Sequence, residues 1–175
     1  MGNELMNLAQ QIKQTSKLTG TFTLRSGAVS NTYFDKYLFE SDPALLRSIA
    51  EAMAKLLPAD TELLAGLEMG GIPVVTMLSQ VTGLPCAFIR KEAKEYGTCK
   101  YAEGPSLVGK QVAIIEDVVS SGGAILDALK KLEADNVRPN SIICVIDRQT
   151  GGKENLAQAG YDLKSVLTMS EIENG

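Results

Sequence analysis

One stretch decides the fold of this chain, and it reads Val112-Ala113-Ile114-Ile115-Glu116-Asp117-Val118-Val119-Ser120-Ser121-Gly122-Gly123-Ala124. It begins as a short apolar run, which is the pattern of a β-strand buried on both faces. Two adjacent carboxylates follow at the carboxyl end of that strand. A loop of small residues then leads into apolar positions at helical spacing, namely Ile125, Leu126, Leu129 and Leu132. Strand, acidic pair, small-residue loop and helix predict one unit of an α/β sheet with a ligand site at its end.

The loop and the acids suit a ligand that carries a phosphate. Small residues let backbone N–H groups approach a phosphate, and the helix N-terminus behind them adds a partial positive charge. Glu116 and Asp117 can hold sugar hydroxyls or a hydrated metal ion. The alternative is an ordinary buried strand followed by a turn. It is disfavoured because adjacent acids at a buried strand end are costly without a partner.

The same stretch resembles the signature of type I phosphoribosyltransferases, which has an apolar run, two acids, two apolar residues, two Ser or Thr residues and a Gly. The resemblance implies that Glu116 and Asp117 hold the ribose hydroxyls of phosphoribosyl pyrophosphate (PRPP) and belong to the catalytic group. It also implies that the following residues bind around the 5′-phosphate: Val118, Val119, Ser120, Ser121, Gly122, Gly123 and Ala124.

The length and the net charge of the chain limit the functions that it can have. The 175 residues suffice for one domain with a sizeable core. The net charge of −4 argues against general attraction to nucleic acid, so a polyanionic substrate needs a local basic cluster. We expect no membrane span and no signal peptide, since no apolar run is long enough and the N-terminus lacks a signal's basic and apolar regions.

The usage of cysteine and histidine excludes several kinds of site. The three cysteines are scattered and form no CxxC pair, which fits a reducing cytoplasm better than a disulfide framework or a zinc site. The chain has no histidine, so Ser-His-Asp catalysis, Cys-His catalysis and imidazole metal sites are excluded. Proton transfer would have to use carboxylates, Lys, Tyr or water.

The N-terminal segment predicts a helix over residues 3–15 and then two extended stretches joined by a turn at Ser26-Gly27. These stretches resemble the orotate phosphoribosyltransferase segment Phe-x-Leu-Lys-Ser-Gly-x-x-Ser-x-x-Tyr-Phe, part of a small hood over the active site. The resemblance implies that Arg25, in place of the usual Lys, and Phe34 bind substrate. Without it, Phe34 would be a core aromatic residue.

A second strand, loop and helix unit lies before the first. Asp42-Pro43 predicts a helix start, and Pro58 is expected to end that helix after Leu57. A short strand at 63–65 leads into a glycine loop, and a helix follows to about Val81. The loop resembles the family's pyrophosphate-binding loop, which often ends in Gly-Gly-Ile-Pro, and this implies that Gly70 and Gly71 bind substrate. The alternative for the glycine pair is a simple turn.

The basic cluster follows a strand at 85–89. By composition, residues 90–104 could be a solvated loop of mixed charge, but the pattern Arg-Lys-Glu-x-Lys-x-x-Gly resembles the mobile catalytic loop of orotate phosphoribosyltransferases. There an Arg, two Lys and a His engage pyrophosphate, partly from the neighbouring subunit. This implies substrate contacts by Arg90, Lys91 and Lys94, with Lys94 catalytic. Tyr96 stands at the His position and can donate a hydrogen bond but cannot carry positive charge.

The remaining segments complete the pattern. Residues 104–110 have P-loop spacing up to the lysine, but a strand follows where a helix is required, so a turn is predicted. A helix at 122–134, a strand at 141–146, a helix near 153–159 and a strand at 163–167 follow. Between them, residues 147–152 resemble the family's Asp-Arg-x-x-Gly-Gly, which implies that Arg148 binds orotate through bidentate hydrogen bonds. The alternative is that Arg148 pairs with Asp147 or caps a strand end.

Together these motifs predict an α/β protein with the type I phosphoribosyltransferase fold: a mostly parallel sheet flanked by helices, with a small N-terminal hood. We expect a single domain over 1–175, with the hood at about 1–40 and the core at about 41–170. The resemblance implies an orotate phosphoribosyltransferase, a pentosyltransferase of pyrimidine biosynthesis. It would use PRPP, with Mg²⁺ held mainly through PRPP and water rather than by protein ligands, as a cytoplasmic homodimer with shared active sites.

Two alternatives stay open from the sequence. One is a phosphoribosyltransferase for another base, such as a purine, against which the hood motif and Arg148 argue. The other is a regulatory protein on the same fold that binds PRPP without catalysis. Such proteins usually carry an added nucleic-acid-binding region or a basic face, and this acidic chain shows neither.

Overall fold

The computed structural model describes residues 2–24, 26–93 and 100–175. The helices are α1 (Gly2–Ser16), α2 (Lys36–Ser41), α3 (Pro43–Ala54), α4 (Gly71–Thr82), α5 (Gly123–Ala134), α6 (Gly152–Gln158) and α7 (Met169–Asn174). The strands are β1 (Lys17–Thr23), β2 (Val29–Phe34), β3 (Leu63–Leu67), β4 (Cys86–Ile89), β5 (Ala102–Glu103), β6 (Val112–Val119), β7 (Ser141–Asp147) and β8 (Leu163–Thr168).

The main sheet has six strands in the order β5-β4-β3-β6-β7-β8. All neighbours are parallel except β5, which pairs antiparallel with β4. The register sets Ala65 of β3 opposite Ile114 of β6 and sets Ile114 opposite Ile142 of β7. The apolar runs form central strands because helices cover both faces of the sheet. The predicted mostly parallel sheet is confirmed.

The core consists of two layers, one on each face of the sheet. On one face, side chains of α1, α2, α3, α4 and α7 pack together, among them Ile12, Phe39, Ile49, Leu78 and Ile172. On the other face, α5 and α6 pack with Leu107, and their buried residues include Ile125, Leu129, Leu132 and Leu156. This is the helix–sheet–helix layering that alternating strands and helices predict.

The N-terminal hairpin, formed by β1 and β2, is a separate two-stranded antiparallel sheet. Its turn is closed by a hydrogen bond from Gly27 N to Leu24 O (2.8 Å), and Gly27 has a φ of +84°. A positive φ favours glycine, so the Ser-Gly pair marked this turn correctly. The expected hood covered about residues 1–40. The hairpin itself takes residues 17–34, and α1 packs on the main sheet through Leu8, Ala9 and Ile12.

Several boundaries differ from the sequence prediction. Helix α3 ends at Ala54 rather than at Leu57, and the next residues form tight i→i+3 bonds from Leu56 N and Leu57 N. Proline disfavours the α conformation of the residue before it. Pro58 therefore ends the helix before Leu57 rather than after it. The short elements α2, β5 and α7 were not predicted, because none is long enough to show a periodic pattern.

Two further predictions can be compared with the fold. Residues 104–110 lead into β6 as a turn, with Lys110 Nζ 3.1 Å from Glu62 Oε1, so the P-loop alternative is excluded. Over the described residues, no helix combines the length and the apolar character that crossing a membrane requires.

Candidate active site

The site lies at the carboxyl edge of the sheet, between β3 and β6. The order of the strands reverses here, because β4 lies on one side of β3 and β6 lies on the other. Strands β3 and β6 are neighbours, and their following loops open at the same edge, which is where α/β sheets bind ligands. The glycine loop after β3 packs directly against β6: a Cβ added to Gly70 would overlap the carboxylate of Asp117, and one at Gly71 would lie 2.9 Å from Ile115 O. The structure therefore brings the glycine pair and the acidic pair together, and glycine is required for that approach.

The acidic pair is almost fully buried. Glu116 is 8% exposed and Asp117 is 1% exposed. Glu116 Oε1 accepts a hydrogen bond from Asp117 N (3.0 Å), and Asp117 Oδ1 accepts one from Val118 N (2.6 Å). The partner that two buried acids require is Lys36, whose Nζ lies 2.5 Å from Asp117 Oδ2.

Sequence reasoning missed Lys36, and it also missed Glu40, which stands one turn later on α2. Glu40 is 5% exposed, and its carboxyl group lies against Asp117. A signal was present, because a basic and an acidic residue at i and i+4 follow the hairpin directly. The helix that carries them is too short for its periodicity to draw attention.

These groups set one another's protonation. Burial, followed by the interaction with Asp117, raises the pKa of Glu40 to about 9. Burial and the charge of Asp117 also raise the pKa of Glu116 well above its usual range. Burial acts against ionisation of Asp117, but hydrogen bonds from Glu40, Glu116 and Lys36 hold its pKa below the usual value. The cluster is therefore built around an ionised Asp117 paired with a protonated Lys36.

Lys36 responds in the matching direction. Burial lowers the pKa of Lys36, but the hydrogen bond and charge of Asp117 outweigh burial and raise it. A lysine in this position keeps its positive charge at neutral pH. The buried acids are thus neutralised partly by a cation and partly by bound protons.

The loop after β6 presents backbone amides at the start of α5 that no side chain of the described residues caps. Gly122 has a φ of +78°, and no side chain caps the helix. The loop is held from behind by the segment after β7: Asn155 Nδ2 donates to Ser121 O (2.9 Å), and a Cβ at Gly152 would lie 2.5 Å from Ser120 O. Uncapped amides on a fixed loop at a helix N-terminus suit a phosphate.

Arg148 lies in a cavity of about 770 Å³, which we call the Arg148 cavity. Its walls include Tyr33, Phe34, Lys36, Val118, Ser120 and Arg148. Asp147 Oδ1 accepts a hydrogen bond from Gln149 N (2.8 Å), and Arg148 forms no ion pair with any described residue. The alternative that Arg148 pairs with Asp147 is thereby excluded. Phe34 lines this cavity and also packs against Phe39, with 6.4 Å between ring centroids.

Arg90 and Lys91 lie at a second cavity of about 410 Å³, the Arg90 cavity, which Glu68, Ala124 and Lys131 also line. Lys91 N donates to Glu68 Oε1 (2.6 Å), and Lys131 Nζ donates to Lys91 O (2.5 Å). The Arg90 guanidinium lies 3.7 Å from Glu103. This cavity borders the glycine loop after β3 and the start of α5.

Three predicted site residues lie outside the described residues, namely Arg25, Lys94 and Tyr96. Of the other predicted residues, Phe34, Val118, Ser120 and Arg148 line the Arg148 cavity, and Arg90, Lys91 and Ala124 line the Arg90 cavity. The remainder line neither cavity and lie in β6, at the start of α4, or in the loop and first turn of α5: Glu116, Asp117, Val119, Gly70, Gly71, Ser121, Gly122 and Gly123. In the described ranges, no group of three or more Cys, Asp and Glu side chains is arranged to hold a metal ion. The site therefore offers cations and backbone amides for anions, and buried carboxylates beside them.

Comparison with known proteins agrees with this geometry. The sequence profile of the phosphoribosyl transferase domain matches residues 39–166. The chain is 50% identical to the orotate phosphoribosyltransferase of Nocardioides sp. over 166 residues, which cover 95% of this chain and 93% of that protein. It is 40% identical to the orotate phosphoribosyltransferase of Methanocella arvoryzae, over 94% of this chain and 95% of that one.

Similarity extends to a solved structure. The orotate phosphoribosyltransferase of Mycobacterium tuberculosis, crystallised with Fe(III) dicitrate, superimposes with a TM-score of 0.88 at 26% identity. The match covers 97% of this chain and 98% of that chain. The helix-flanked sheet and the order of its elements are thus shared over nearly the whole length.

Proposed function

Since this chain belongs to the orotate phosphoribosyltransferase family, we propose that it transfers the ribosyl phosphate group of PRPP to orotate. The products are orotidine 5′-monophosphate and diphosphate, in the de novo synthesis of UMP. The enzyme is a pentosyltransferase, within the glycosyltransferases. The observation that carries the proposal is the Arg148 cavity. Its wall includes a guanidinium that forms no ion pair with any described residue, together with Val118 and Ser120 beside the acidic pair.

Each half of the site serves one part of the reaction. The loop at 118–124 presents amides to the 5′-phosphate of PRPP, and Glu116 and Asp117 lie beside the ribose. Arg148 binds the orotate carboxylate through paired hydrogen bonds, and Phe34 and Ser120 border the pyrimidine ring. Arg25 is proposed as a further substrate-binding residue on the strength of the hood motif. Orotate arrives as an anion, so the chain needs no histidine as a general base.

The diphosphate half lies at the Arg90 cavity. Gly70 and Gly71 let the backbone approach the leaving diphosphate, and Arg90, Lys91 and Lys94 neutralise its charge, with Tyr96 adding a hydrogen bond. Displacement at the ribose anomeric carbon passes through a cation-like transition state, so the protein's task is positioning and charge stabilisation. The resemblance of residues 90–104 to the family's catalytic loop supports a role for Lys94 in excluding water from that transition state.

Mg²⁺ fits this site as a companion of PRPP rather than as a metal held by a protein cage. Among the described carboxyl groups of the site, Asp117 forms an ion pair with Lys36, and burial favours the neutral form of Glu116. Neither group is therefore a good direct ligand for a metal ion. Mg²⁺ retains water and binds phosphate oxygens readily. When bound with PRPP, Mg²⁺ would supply positive charge against the diphosphate, and the protein would hold it through PRPP and water rather than through its own carboxylates.

We further propose a single-domain subunit over 1–175 that forms a homodimer in which the 90–104 loop completes the neighbouring active site. The basis for this is the resemblance of that loop to the shared loop of the family. We place the enzyme in the cytoplasm, with no membrane or nucleic acid as partner. The free thiols of Cys86 and Cys144 are what a reducing compartment maintains.

The test is a panel of bases offered with PRPP and Mg²⁺. Orotate should be converted, whereas uracil, adenine and hypoxanthine should not, because none of them has a carboxylate for Arg148. Conversion of a purine in preference to orotate would contradict the proposal. Tight binding of PRPP without turnover of any base would favour a regulatory protein instead.

A further inference from the structure

The ammonium of Lys36 is the feature of the site that the reaction described above does not yet use. It lies at the first position of α2, directly after the N-terminal hairpin. The side chain of Lys36 is 34% exposed, whereas that of its partner Asp117 is 2% exposed. The ring of Tyr37 lies 5.2 Å from the ammonium. Asp117 therefore holds Lys36 from the protein side while another face of the ammonium stays open to the Arg148 cavity.

Lys36 is surrounded by carboxyl groups. Asp117 and Glu116 face it from β6, and Asp35 and Glu40 stand on either side of it along the chain. Because burial favours the protonated forms of Glu116 and Glu40, Asp117 is the buried group of this cluster that carries negative charge. An anionic base that enters the cavity would meet this cluster. With Lys36 present, the ionised Asp117 is neutralised and a positive charge faces the cavity. Without Lys36, an unpaired buried carboxylate would repel the anion.

The position of Lys36 identifies which substrate it meets. It lines the cavity of Arg148, Phe34 and Ser120, and it is absent from the lining of the Arg90 cavity, beside the glycine loop. We propose that Lys36 is a further orotate-binding residue, whose ammonium, held by Asp117, attracts the negative charge of the pyrimidine in the Arg148 cavity. The inference rests on the proposed function and adds a specificity-determining cation to it.

The experiment measures KM for both substrates in Lys36→Met and Lys36→Gln. Glutamine can still donate a hydrogen bond to Asp117, so it keeps the carboxylate partnered while it removes the charge. We expect the orotate KM to rise about tenfold or more in both variants, the usual cost of losing a charge-assisted contact. The PRPP KM should stay within about threefold, as should the inhibition constant of uracil, which carries no carboxylate.

Lys13→Met is the matched control. Lys13 also lines the Arg148 cavity, but its Nζ donates to the backbone oxygen of Glu173 (2.7 Å) rather than to a buried acid. The Lys13→Met variant removes one positive charge from the wall of the same cavity, and its orotate KM should change by less than about threefold. An equal rise in this control would mean that general charge, not the Lys36 site, attracts orotate, and would overturn the inference.

The remaining outcomes are also decisive. If Lys36→Gln raises both KM values equally, or lowers only kcat, Lys36 merely holds Asp117 and the inference is wrong. If neither variant gives a cooperative melting transition, Lys36 is structural and the inference is equally overturned. A wild-type enzyme that fails to convert orotate would refute the proposed function. An active wild type with unchanged orotate KM in the variants would refute this inference alone.

Discussion

Replacing Glu40 with glutamine should stabilise the fold increasingly as pH rises from 6 to 8. Burial and Asp117 raise the pKa of Glu40 from 4.5 to about 9. The folded state thus holds a proton that the unfolded chain releases, so the stability contributed by Glu40 is full below pH 4.5. It is lost progressively as pH rises to about 9. Each pH unit in this window costs about 1.4 kcal/mol, and glutamine does not titrate.

The free energy of unfolding of Glu40→Gln minus that of wild type should therefore increase by roughly 3 kcal/mol between pH 6 and pH 8. Urea unfolding followed by circular dichroism at pH 6, 7 and 8 measures this difference. Glu154→Gln, at an exposed position of α6, is the control and should show a difference that does not change with pH. A constant difference for Glu40→Gln would refute the assignment of a protonated, buried carboxyl beside Asp117.

Three further predictions concern catalysis. Arg148→Ala should raise the orotate KM far more than the PRPP KM in steady-state assays, and equal effects would mean that Arg148 is structural. Tyr96→Phe should cost about tenfold or less in kcat/KM, since one hydrogen bond is lost; a loss as large as that of Lys94→Ala would contradict this ranking. Mixing inactive Lys94→Ala and Asp117→Ala subunits under exchange should restore roughly a quarter of wild-type activity if the loop is shared between subunits. With exchange verified, no recovery would exclude sharing.

Most of the fold could be predicted from the sequence, because local residue patterns determine its strands and loops. The apolar run before Glu116 has the pattern of a buried strand, and Gly70 and Gly122 stand where the backbone must approach a side chain or adopt a positive φ. Asp42 accepts hydrogen bonds from Ala44 N and Leu45 N, the N-cap that Asp-Pro predicts. Local features of this kind can be predicted from the sequence without knowledge of the tertiary structure.

The contacts of Glu116 and Asp117 could not be predicted from the sequence. Lys36 and Asp117 are far apart in the chain, and nothing in either segment indicates that they meet. Helix α2 has only 6 residues, too few for a periodic pattern, yet it carries both Lys36 and Glu40. The cost of two buried acids did predict that some partner exists. Its identity depended on how the hairpin packs against the sheet, which is a tertiary property.

The central claim is tested most directly by following the purified protein with orotate, PRPP and Mg²⁺. The loss of orotate absorbance is compared with the diphosphate released. The account predicts that orotate disappears in equal amount to the diphosphate formed, with orotidine 5′-monophosphate as the product by mass. Diphosphate release without loss of orotate, or no reaction while PRPP binds, would contradict it.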